Sequence, residues 1–271
     1  MTSPVEWIEV PWRGRSVRIE HQWIAREHSD RPLLVFLHEG LGSVAMWRDF
    51  PQRLCQAAGL RGLVYSRPGY GRSTPRPPDE HWAPDFMHRQ AHELLPALRQ
   101  ALHIDTPPWL YGHSDGGSIA LLHAARFPQA VGGVIVAAPH IHVEAFGLAS
   151  ILKAREAYAG GTDLRQRLAR YHDDVDSAFH GWNRIWLDPA FEAWHIEAEL
   201  ATIACPVLAV QGLDDEYGTL DQIRGIARRV PHTRLLELPS CGHSPHRDQP
   251  DALIHAVTDF IAEHTSRKDP P

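Results

Sequence analysis

Hydrophobic residues fall into two periodic patterns along this chain. Near the N-terminus, apolar and polar residues alternate over Val5–Val10 and Ser16–Trp23, with Arg13-Gly14 between them. This period of two residues predicts a β-hairpin. Six short, unbroken apolar runs follow, as expected for strands that are buried on both faces of a parallel sheet. They are Leu33–Leu37, Leu63–Tyr65, Trp109–Tyr111, Val131–Ala137, Val207–Val210 and Arg234–Leu238.

Segments with helical spacing lie between these runs. They are Trp47–Ala58, Asp85–Leu102, Gly116–Arg126, Leu220–Arg229 and Asp251–His264. The alternation of strand and helix predicts right-handed crossovers and an α/β fold, in which helices cover both faces of a mostly parallel, twisted sheet. Pro96 lies inside the second helical segment, so we expect a kink or a helix boundary there.

The alternation fails once, between Pro139 and Leu200, where helix-like segments occur without a strand-like run. A structureless loop of that length is improbable in a compact domain. The pattern therefore predicts a helical cap at residues 140–199, inserted into a core domain formed by residues 1–139 and 200–271. The cap contributes aromatic bulk that is expected to face the core, namely Trp182, Trp186, Phe191 and Trp194.

Composition narrows the classes of partner. The 271 residues, of which 43% are hydrophobic and 22% charged, are enough for one large core. The chain has a net charge of −6 and no blocks of like charge, so we expect no electrostatic attraction to nucleic acid or to an anionic membrane. We therefore predict no nucleic-acid or membrane partner and a small-molecule substrate. The oligomeric state stays open, with a homodimer among the alternatives.

The first twelve residues show no recognisable targeting or membrane-spanning pattern. Residues 1–12 include no basic region followed by an apolar stretch, which predicts a cytoplasmic protein without a signal peptide. The last residues, 266–271, are expected to form a frayed tail. Cys55, Cys205 and Cys241 are widely separated, so we expect reduced thiols rather than a disulfide framework or a zinc site.

The strongest chemical signal is Gly112-His113-Ser114-Asp115-Gly116, which lies between a predicted strand and a predicted helix. A serine hydroxyl is a poor nucleophile until a base removes its proton and its oxygen is exposed, and a sharp strand-to-helix turn exposes it. Glycines allow the two backbones to approach closely in that turn. This G-x-S-x-G pattern predicts Ser114 as the nucleophile.

Two later turns offer the partners that such a serine needs, an imidazole base and a carboxylate that orients it. The strand at Val207–Val210 is followed by Gln211-Gly212-Leu213-Asp214-Asp215, and the last strand is followed by Pro239-Ser240-Cys241-Gly242-His243. The order serine, acid, histidine at successive strand ends matches a known catalytic arrangement. His246 lies nearer the final helix and is expected to be a surface or supporting residue.

With these motifs, the chain resembles the α/β-hydrolase superfamily, in particular the capped bacterial esterases, lactonases and meta-cleavage carbon–carbon hydrolases. The resemblance extends from Leu33 to about Ala262. It implies an α/β-hydrolase fold with an inserted helical cap, a Ser-His-Asp triad, a two-amide oxyanion hole and no cofactor. The matching segments are His38-Glu39-Gly40, Ser66–Ser73, Gly112–Gly116, Gly212–Asp215 and Gly242-His243.

The same resemblance refines the site. The family's G-x-x-D spacing from Gly212 selects Asp215 over Asp214, and its Gly-His pair selects His243. One oxyanion amide is implied at Asp115. The second is implied in the loop after the Leu33–Leu37 strand, at Gly40 or Leu41.

Two positions depart from the family pattern. Glu39 stands where glycine is usual, so its side chain should point away from the site or be paired. Ser66 stands where aspartate is usual, and the loop around it is interpreted as structural.

The sequence signals for the substrate pocket and for a metal site are weaker. We predict a substrate pocket that includes Glu39, His140, Trp182 and Trp186. The chain has 19 histidines, yet the pairs His140/His142 and His243/His246 lack the spacing of helical metal motifs. No metal is therefore predicted.

These features predict a serine hydrolase that cleaves a small carboxylic ester. A carbon–carbon hydrolase or a lactonase would use the same triad, and a slow-turnover ligand sensor would keep it. An aminopeptidase of the prolyl iminopeptidase type would need a cap carboxylate, and the candidates are Glu144, Glu156, Glu192, Glu197 and Glu199. Dehalogenases and epoxide hydrolases of the superfamily use an aspartate nucleophile, and Ser114 argues against them.

Overall fold

One sheet organises the part of the chain that the computed structural model describes, residues 2–160 and 162–265. The predicted tail at 266–271 lies outside the described residues. The strands are β1 (Thr2–Trp12), β2 (Arg15–Ile24), β3 (Leu33–Leu37), β4 (Arg61–Tyr65), β5 (Trp109–His113), β6 (Gly133–Ala137), β7 (Val207–Gly212) and β8 (Thr233–Leu238). Their order across the sheet is β1-β2-β4-β3-β5-β6-β7-β8.

The predicted hairpin is confirmed at the N-terminal edge of this sheet. Strands β1 and β2 pair antiparallel, and β2 continues antiparallel onto β4. The turn at Arg13-Gly14 has φ of +52° and +74°, the left-handed conformations that match a two-residue turn to the twist of the strands. From β4 to β8 all neighbours are parallel. The predicted mostly parallel sheet is therefore confirmed.

Helices cover both faces of the sheet. The pair α1 (Phe50–Ala58) and α11 (Pro250–Thr265) packs on one face. The other face is covered by α2 (Phe86–Arg89), α3 (Leu95–Ala101), α4 (Asp115–Arg126) and α9 (Asp221–Arg229). A short helix, α10 (Pro245–Asp248), precedes α11. No helix of the described residues is long and apolar enough to span a bilayer.

Pro96 marks the helix irregularity that its sequence predicts. A π-helical stretch, Gln90–Leu94, separates α2 from α3, and Pro96 lies in the first turn of α3. Proline lacks a backbone N–H and is tolerated in a first turn, where no partner is required.

Strand β8 is not buried on both faces. The prediction of such burial is wrong for this strand alone among the parallel strands. It has one neighbour, β7, because it ends the sheet. Leu235 is 38% exposed. Arg234 and Glu237 pair with Glu263 and Arg224 on the helices beside the edge. Charged, exposed positions of this kind protect an edge strand from pairing with another chain.

Between β6 and β7 the chain forms helices α5 (Ala145–Ala159), α6 (Leu164–Leu168), α7 (Val175–Trp186) and α8 (Glu197–Leu200), with a 3₁₀ turn at Pro189–Phe191. Asp174 caps α7 by accepting a hydrogen bond from the Ser177 N–H. The four aromatic residues expected to face the core are buried. The division into a core domain and a cap stays a prediction.

Candidate active site

A strained turn between β5 and α4 carries Ser114. Its φ is +53°, a value that non-glycine residues rarely adopt and that is often retained at functional turns. Glycine is required at positions 112 and 116 because other backbone segments lie in direct contact with them. A Cβ atom at Gly112 would lie 2.2 Å from the Gly116 carbonyl oxygen, and one at Gly116 would lie 2.1 Å from that of Leu37.

Ser114, His243 and Asp215 meet at the carboxyl ends of three strands. The Ser114 Oγ lies 3.0 Å from His243 Nε2, and His243 Nδ1 lies 2.9 and 3.0 Å from the two Asp215 oxygens. Asp214, in contrast, is exposed. The structure therefore brings together the three residues predicted for the triad and leaves out the alternative acid.

The Asp215 carboxylate is held from several sides. Oδ1 accepts hydrogen bonds from the backbone N–H groups of Tyr217 and Gly218, and Oδ2 accepts one from Gln211 Nε2. Burial alone would raise the pKa of Asp215, but the hydrogen bond and charge of His243, with the Tyr217 N–H, lower it below its ordinary value. An ionised, fixed carboxylate is what holds an imidazole in one orientation.

Backbone amides line the cavity beside Ser114. The Glu39 carbonyl oxygen accepts a hydrogen bond from Arg67 Nη2 at 2.8 Å and lies 2.7 Å from His38 Nδ1. A trans peptide points its C=O and N–H in opposite directions, so the Gly40 N–H points away from Arg67. The Asp115 N–H belongs to the first turn of α4 and has no acceptor within the helix. Gly40 and Asp115 both line the cavity, as does Leu41.

The side chain of Glu39 is paired, as its unusual position requires. Its Oε2 lies 3.5 Å from His113 Nδ1, and its Oε1 lies 3.9 Å from Arg247 Nη2. Burial would raise the pKa of Glu39. The contact with His113 and the charges of His113, His246 and His38 outweigh burial and hold that pKa well below its usual range. The carboxylate beside the site is therefore ionised and already neutralised by its neighbours.

The cavity above Ser114 has a volume of about 120 Å³. Its walls are mainly apolar and aromatic, and all four predicted pocket residues lie in them. Among the described residues, no arginine or lysine and none of the five cap glutamates lines it. The lining residues are Glu39, Gly40, Leu41, His113, Ser114, Asp115, His140, Ile151, Trp182, Trp186, Tyr217, His243 and Ser244.

The histidines near the site have distinct environments. The His140 ring packs 4.9 Å from the Trp186 ring, and burial, with the charge of His243, lowers the pKa of His140 to about 3. His142 instead forms a β-bridge with His195 and does not line the cavity. His246 is buried against Trp47 and the ring of His113, so it is a supporting residue rather than a surface one.

Sequence reasoning missed several members of the site. His113 stands inside the G-x-S-x-G motif, and its position at a strand end beside the nucleophile was the available signal. Tyr217 follows the acid by two residues and packs its ring 4.7 Å from that of His243. Ile151 of α5 carries no sequence signal, because only the packing of α5 brings it over the sheet.

Within residues 2–160 and 162–265, no group of three or more histidine, cysteine, aspartate or glutamate side chains is arranged to hold a metal ion. Across the same residues, Cys55, Cys205 and Cys241 are buried and are not joined by disulfides.

Comparison with known proteins gives a family match and several sequence relatives. A family model described as the alpha/beta hydrolase family matches residues 34–256. The sn-1-specific diacylglycerol lipase ABHD11 of Mus musculus is 27% identical over 263 residues, which cover 85% of this chain and 81% of the lipase. The 2-hydroxy-6-oxo-6-phenylhexa-2,4-dienoate hydrolase of Burkholderia cepacia is 25% identical over 258 residues, covering 84% of this chain and 87% of that enzyme.

A solved structure shares the fold. The enol-lactonase of Burkholderia xenovorans superposes with a TM-score of 0.72 at 20% identity, covering 96% of this chain and 100% of the lactonase. The family match spans most of the chain, and the sequence relatives are named hydrolases. The chain therefore belongs to the alpha/beta hydrolase family and is an α/β-hydrolase enzyme.

Proposed function

We propose that this enzyme hydrolyses small, uncharged carboxylic esters through an acyl-enzyme formed on Ser114. The observation that carries the proposal is the contact of the Ser114 Oγ with His243 Nε2 at 3.0 Å, while His243 Nδ1 is held by Asp215. A hydroxyl in hydrogen-bond reach of an oriented imidazole is the arrangement that activates serine.

The reaction proceeds in two half-cycles. His243 takes the proton of Ser114 as the oxygen attacks the ester carbonyl, and then gives that proton to the departing alcohol. In the second half-cycle His243 takes a proton from water as the water attacks the acyl carbonyl, and it returns that proton to the Ser114 oxygen as the acid leaves. Asp215 stabilises the imidazolium in both halves.

Two backbone amides are suited to hold the oxyanion. The Gly40 N–H points away from Arg67, and Gly40 lines the cavity. The Asp115 N–H lies at the N-terminus of α4, where the helix dipole favours negative charge. The hydrogen bonds that Arg67 and His38 make to the Glu39 carbonyl polarise the peptide unit that ends in the Gly40 N–H. We therefore favour Gly40 over Leu41 as the second donor.

The cavity lining favours an ester without a negative charge. It contains two carboxylates, Glu39 and Asp115, and among the described residues no arginine or lysine. The Burkholderia cepacia relative is named for a dienoate, which carries a carboxylate, and a buried carboxylate without a cation is costly. The aromatic walls at Trp182 and Trp186 suit an apolar acyl group instead.

The test is turnover of short p-nitrophenyl esters by wild type and Ser114→Ala. We expect a burst of p-nitrophenol equal to the enzyme concentration, then many further turnovers, and loss of both in Ser114→Ala with the fold retained by circular dichroism. Activity of Ser114→Ala near wild type would reject the nucleophile. A burst without further turnover would indicate a ligand sensor, and faster cleavage of carboxylate-bearing dienones than of esters would favour the carbon–carbon hydrolase.

A further inference from the structure

His113 lies at the end of β5, immediately before Ser114, and is only 1% exposed. Its ring Nε2 lies 2.7 Å from the main-chain carbonyl oxygen of His243. A carbonyl oxygen only accepts hydrogen bonds, so this nitrogen carries a proton and donates it. A rigid strand residue thereby contacts the backbone of the residue that acts as base.

The opposite side of the same ring faces Glu39. His113 Nδ1 lies 3.5 Å from Glu39 Oε2, and the carboxylate is ionised because its pKa lies well below the usual range. With its Nε2 proton donated to the His243 carbonyl, the ring turns Nδ1 towards the Glu39 carboxylate, in close contact but without a hydrogen bond within the described residues.

Several titratable groups surround the His113 ring. It lies 4.9 Å from the ring of His246 and 5.2 Å from that of His243. Burial holds the pKa of His246 well below its ordinary value, so His246 is neutral. His140, with a pKa of about 3, is neutral as well. Arg247 lies 3.9 Å from the other Glu39 oxygen.

We propose that Glu39 and His113 form a second carboxylate–imidazole pair that positions His243 through its main-chain carbonyl. The inference rests on the proposed function, in which His243 is the base. The other main-chain contact of His243 is its N–H bond to Glu216, at 3.1 Å and exposed to solvent. The buried bond to His113 is thus the firmer tie between the loop after β8 and the sheet.

Loss of this contact should lower kcat. A displacement of about 1 Å in a catalytic group can lower a rate by about 10²-fold. We expect His113→Leu to lower kcat about 10- to 100-fold with KM nearly unchanged. His113→Gln keeps an N–H donor at the position of Nε2 and should restore most of kcat. Glu39→Gln should fall between wild type and His113→Leu.

A matched control separates this role from simple loss of a buried histidine. His123 on α4 is also 1% exposed, and its Nδ1 lies 2.7 Å from the Ala91 carbonyl oxygen, but it does not line the cavity. His123→Asn should lower stability as His113→Gln does and leave kcat within twofold of wild type. Thermal unfolding of all variants shows which of them are folded.

The pH profile reports the charge of Glu39, which a purely structural role would not bring in. Glu39→Gln removes a negative charge from the cavity wall that Glu39 shares with His243, and it leaves the contact of His113 with the His243 carbonyl in place. The acidic limb of kcat/KM should therefore move to lower pH in Glu39→Gln. In the His113→Leu background, Glu39→Gln should add no further loss, because Glu39 acts through His113.

The readout is steady-state kinetics together with the rate of Ser114 labelling by a fluorophosphonate. With wild type labelled, a folded His113→Leu that keeps the wild-type kcat, or a Glu39→Gln variant with the wild-type rate and an unshifted pH profile, would overturn the positioning role. The positioning role would also be overturned if Glu39→Gln lowered kcat as much in the His113→Leu background as it does in wild type. Failure of the proposed function looks different, because wild type itself would resist labelling and match Ser114→Ala. If His113→Leu does not fold, His113→Gln and Glu39→Gln still decide the question.

Discussion

The indole Nε1 of Trp186 donates a hydrogen bond to Asp115 Oδ1 at 3.1 Å. Asp115 directly follows Ser114, so helix α7 is tied to the turn that carries Ser114. The second oxygen, Oδ2, lies 3.9 Å from Arg67 Nη2 and makes no hydrogen bond within the described residues. Burial raises the pKa of Asp115 above its ordinary value, against the charge of Arg67 and the Trp186 bond. The indole is therefore a main support of this buried carboxylate.

Removing that N–H should destabilise the protein. Trp186→Phe leaves the Asp115 carboxylate without its hydrogen-bond donor. Trp194→Phe is the matched control, because Trp194 is equally buried but its Nε1 has no hydrogen-bond partner in the described part of the chain. We expect Trp186→Phe to lose about 1–3 kcal/mol more unfolding free energy than the control. Urea unfolding measures the difference, and equal losses would contradict the role of the bond.

A methyl group at Gly40 should impair acylation through Trp182. A Cβ atom there would lie 2.2 Å from Trp182 Cδ1 and 2.3 Å from Nε1, so the loop or the indole must move. We expect Gly40→Ala to lower kcat/KM for a short ester about 10- to 100-fold, because the oxyanion donor is displaced. Trp182→Leu in the same chain should recover part of that loss. No recovery, with Trp182→Leu alone as reference, would mean that the clash is not the cause.

The two adjacent aspartates should differ sharply in function. Asp215→Asn keeps the shape of the side chain but removes the charge that orients His243, and we expect kcat to fall about 10⁴-fold. Asp214→Asn changes an exposed carboxylate and should stay within about twofold of wild type. Steady-state kinetics at neutral pH compares them. Similar losses in both variants would contradict the assignment of the acid.

Asp176 should stabilise the fold in a pH-dependent manner. It accepts hydrogen bonds from Arg165, on α6, and from the Tyr158 hydroxyl, on α5. These contacts lower the pKa of Asp176 to about 2, against about 3.9 in an unfolded chain. Its contribution is therefore present above about pH 4 and is lost as the pH falls towards 2. The side chains of Asp176 and Arg165 are half exposed, so we expect less than about 1 kcal/mol.

Urea unfolding of Asp176→Asn and wild type at several pH values tests this linkage. The gap between the two should be largest at neutral pH and should shrink below pH 4. Asp163→Asn is the control on the neighbouring turn, since Asp163 lies 3.4 Å from Arg167 in a more exposed pair. A gap for Asp176→Asn that does not change with pH would contradict the prediction.

Local pattern was sufficient for the elements and for the order of the triad. Period-two alternation and unbroken apolar runs depend only on neighbours in the chain, so the hairpin and the strands could be predicted. The helix irregularity at Pro96 could be predicted from the proline itself. Strand β8 escaped because being at an edge is a property of the sheet and not of the run Arg234–Leu238. Ser66, which stands where the family usually has aspartate, is a second feature that the local pattern could not explain. Its Oγ donates to Glu20 Oε2 at 2.6 Å, so a carboxylate from β2 reaches the place where the family has aspartate.

The sequence by itself determined the fold class, through the alternation of strand and helix patterns, and it predicted the nucleophile and the base, each from a short motif at a strand end. Only the tertiary structure decided how Glu39 is neutralised, which side chains wall the cavity and how His113 contacts His243. Those relationships join residues that are far apart in the chain, such as Glu39 and His113 or His113 and His243. Their distances are set by the packing of β3, β5 and the loop after β8, which no local pattern encodes.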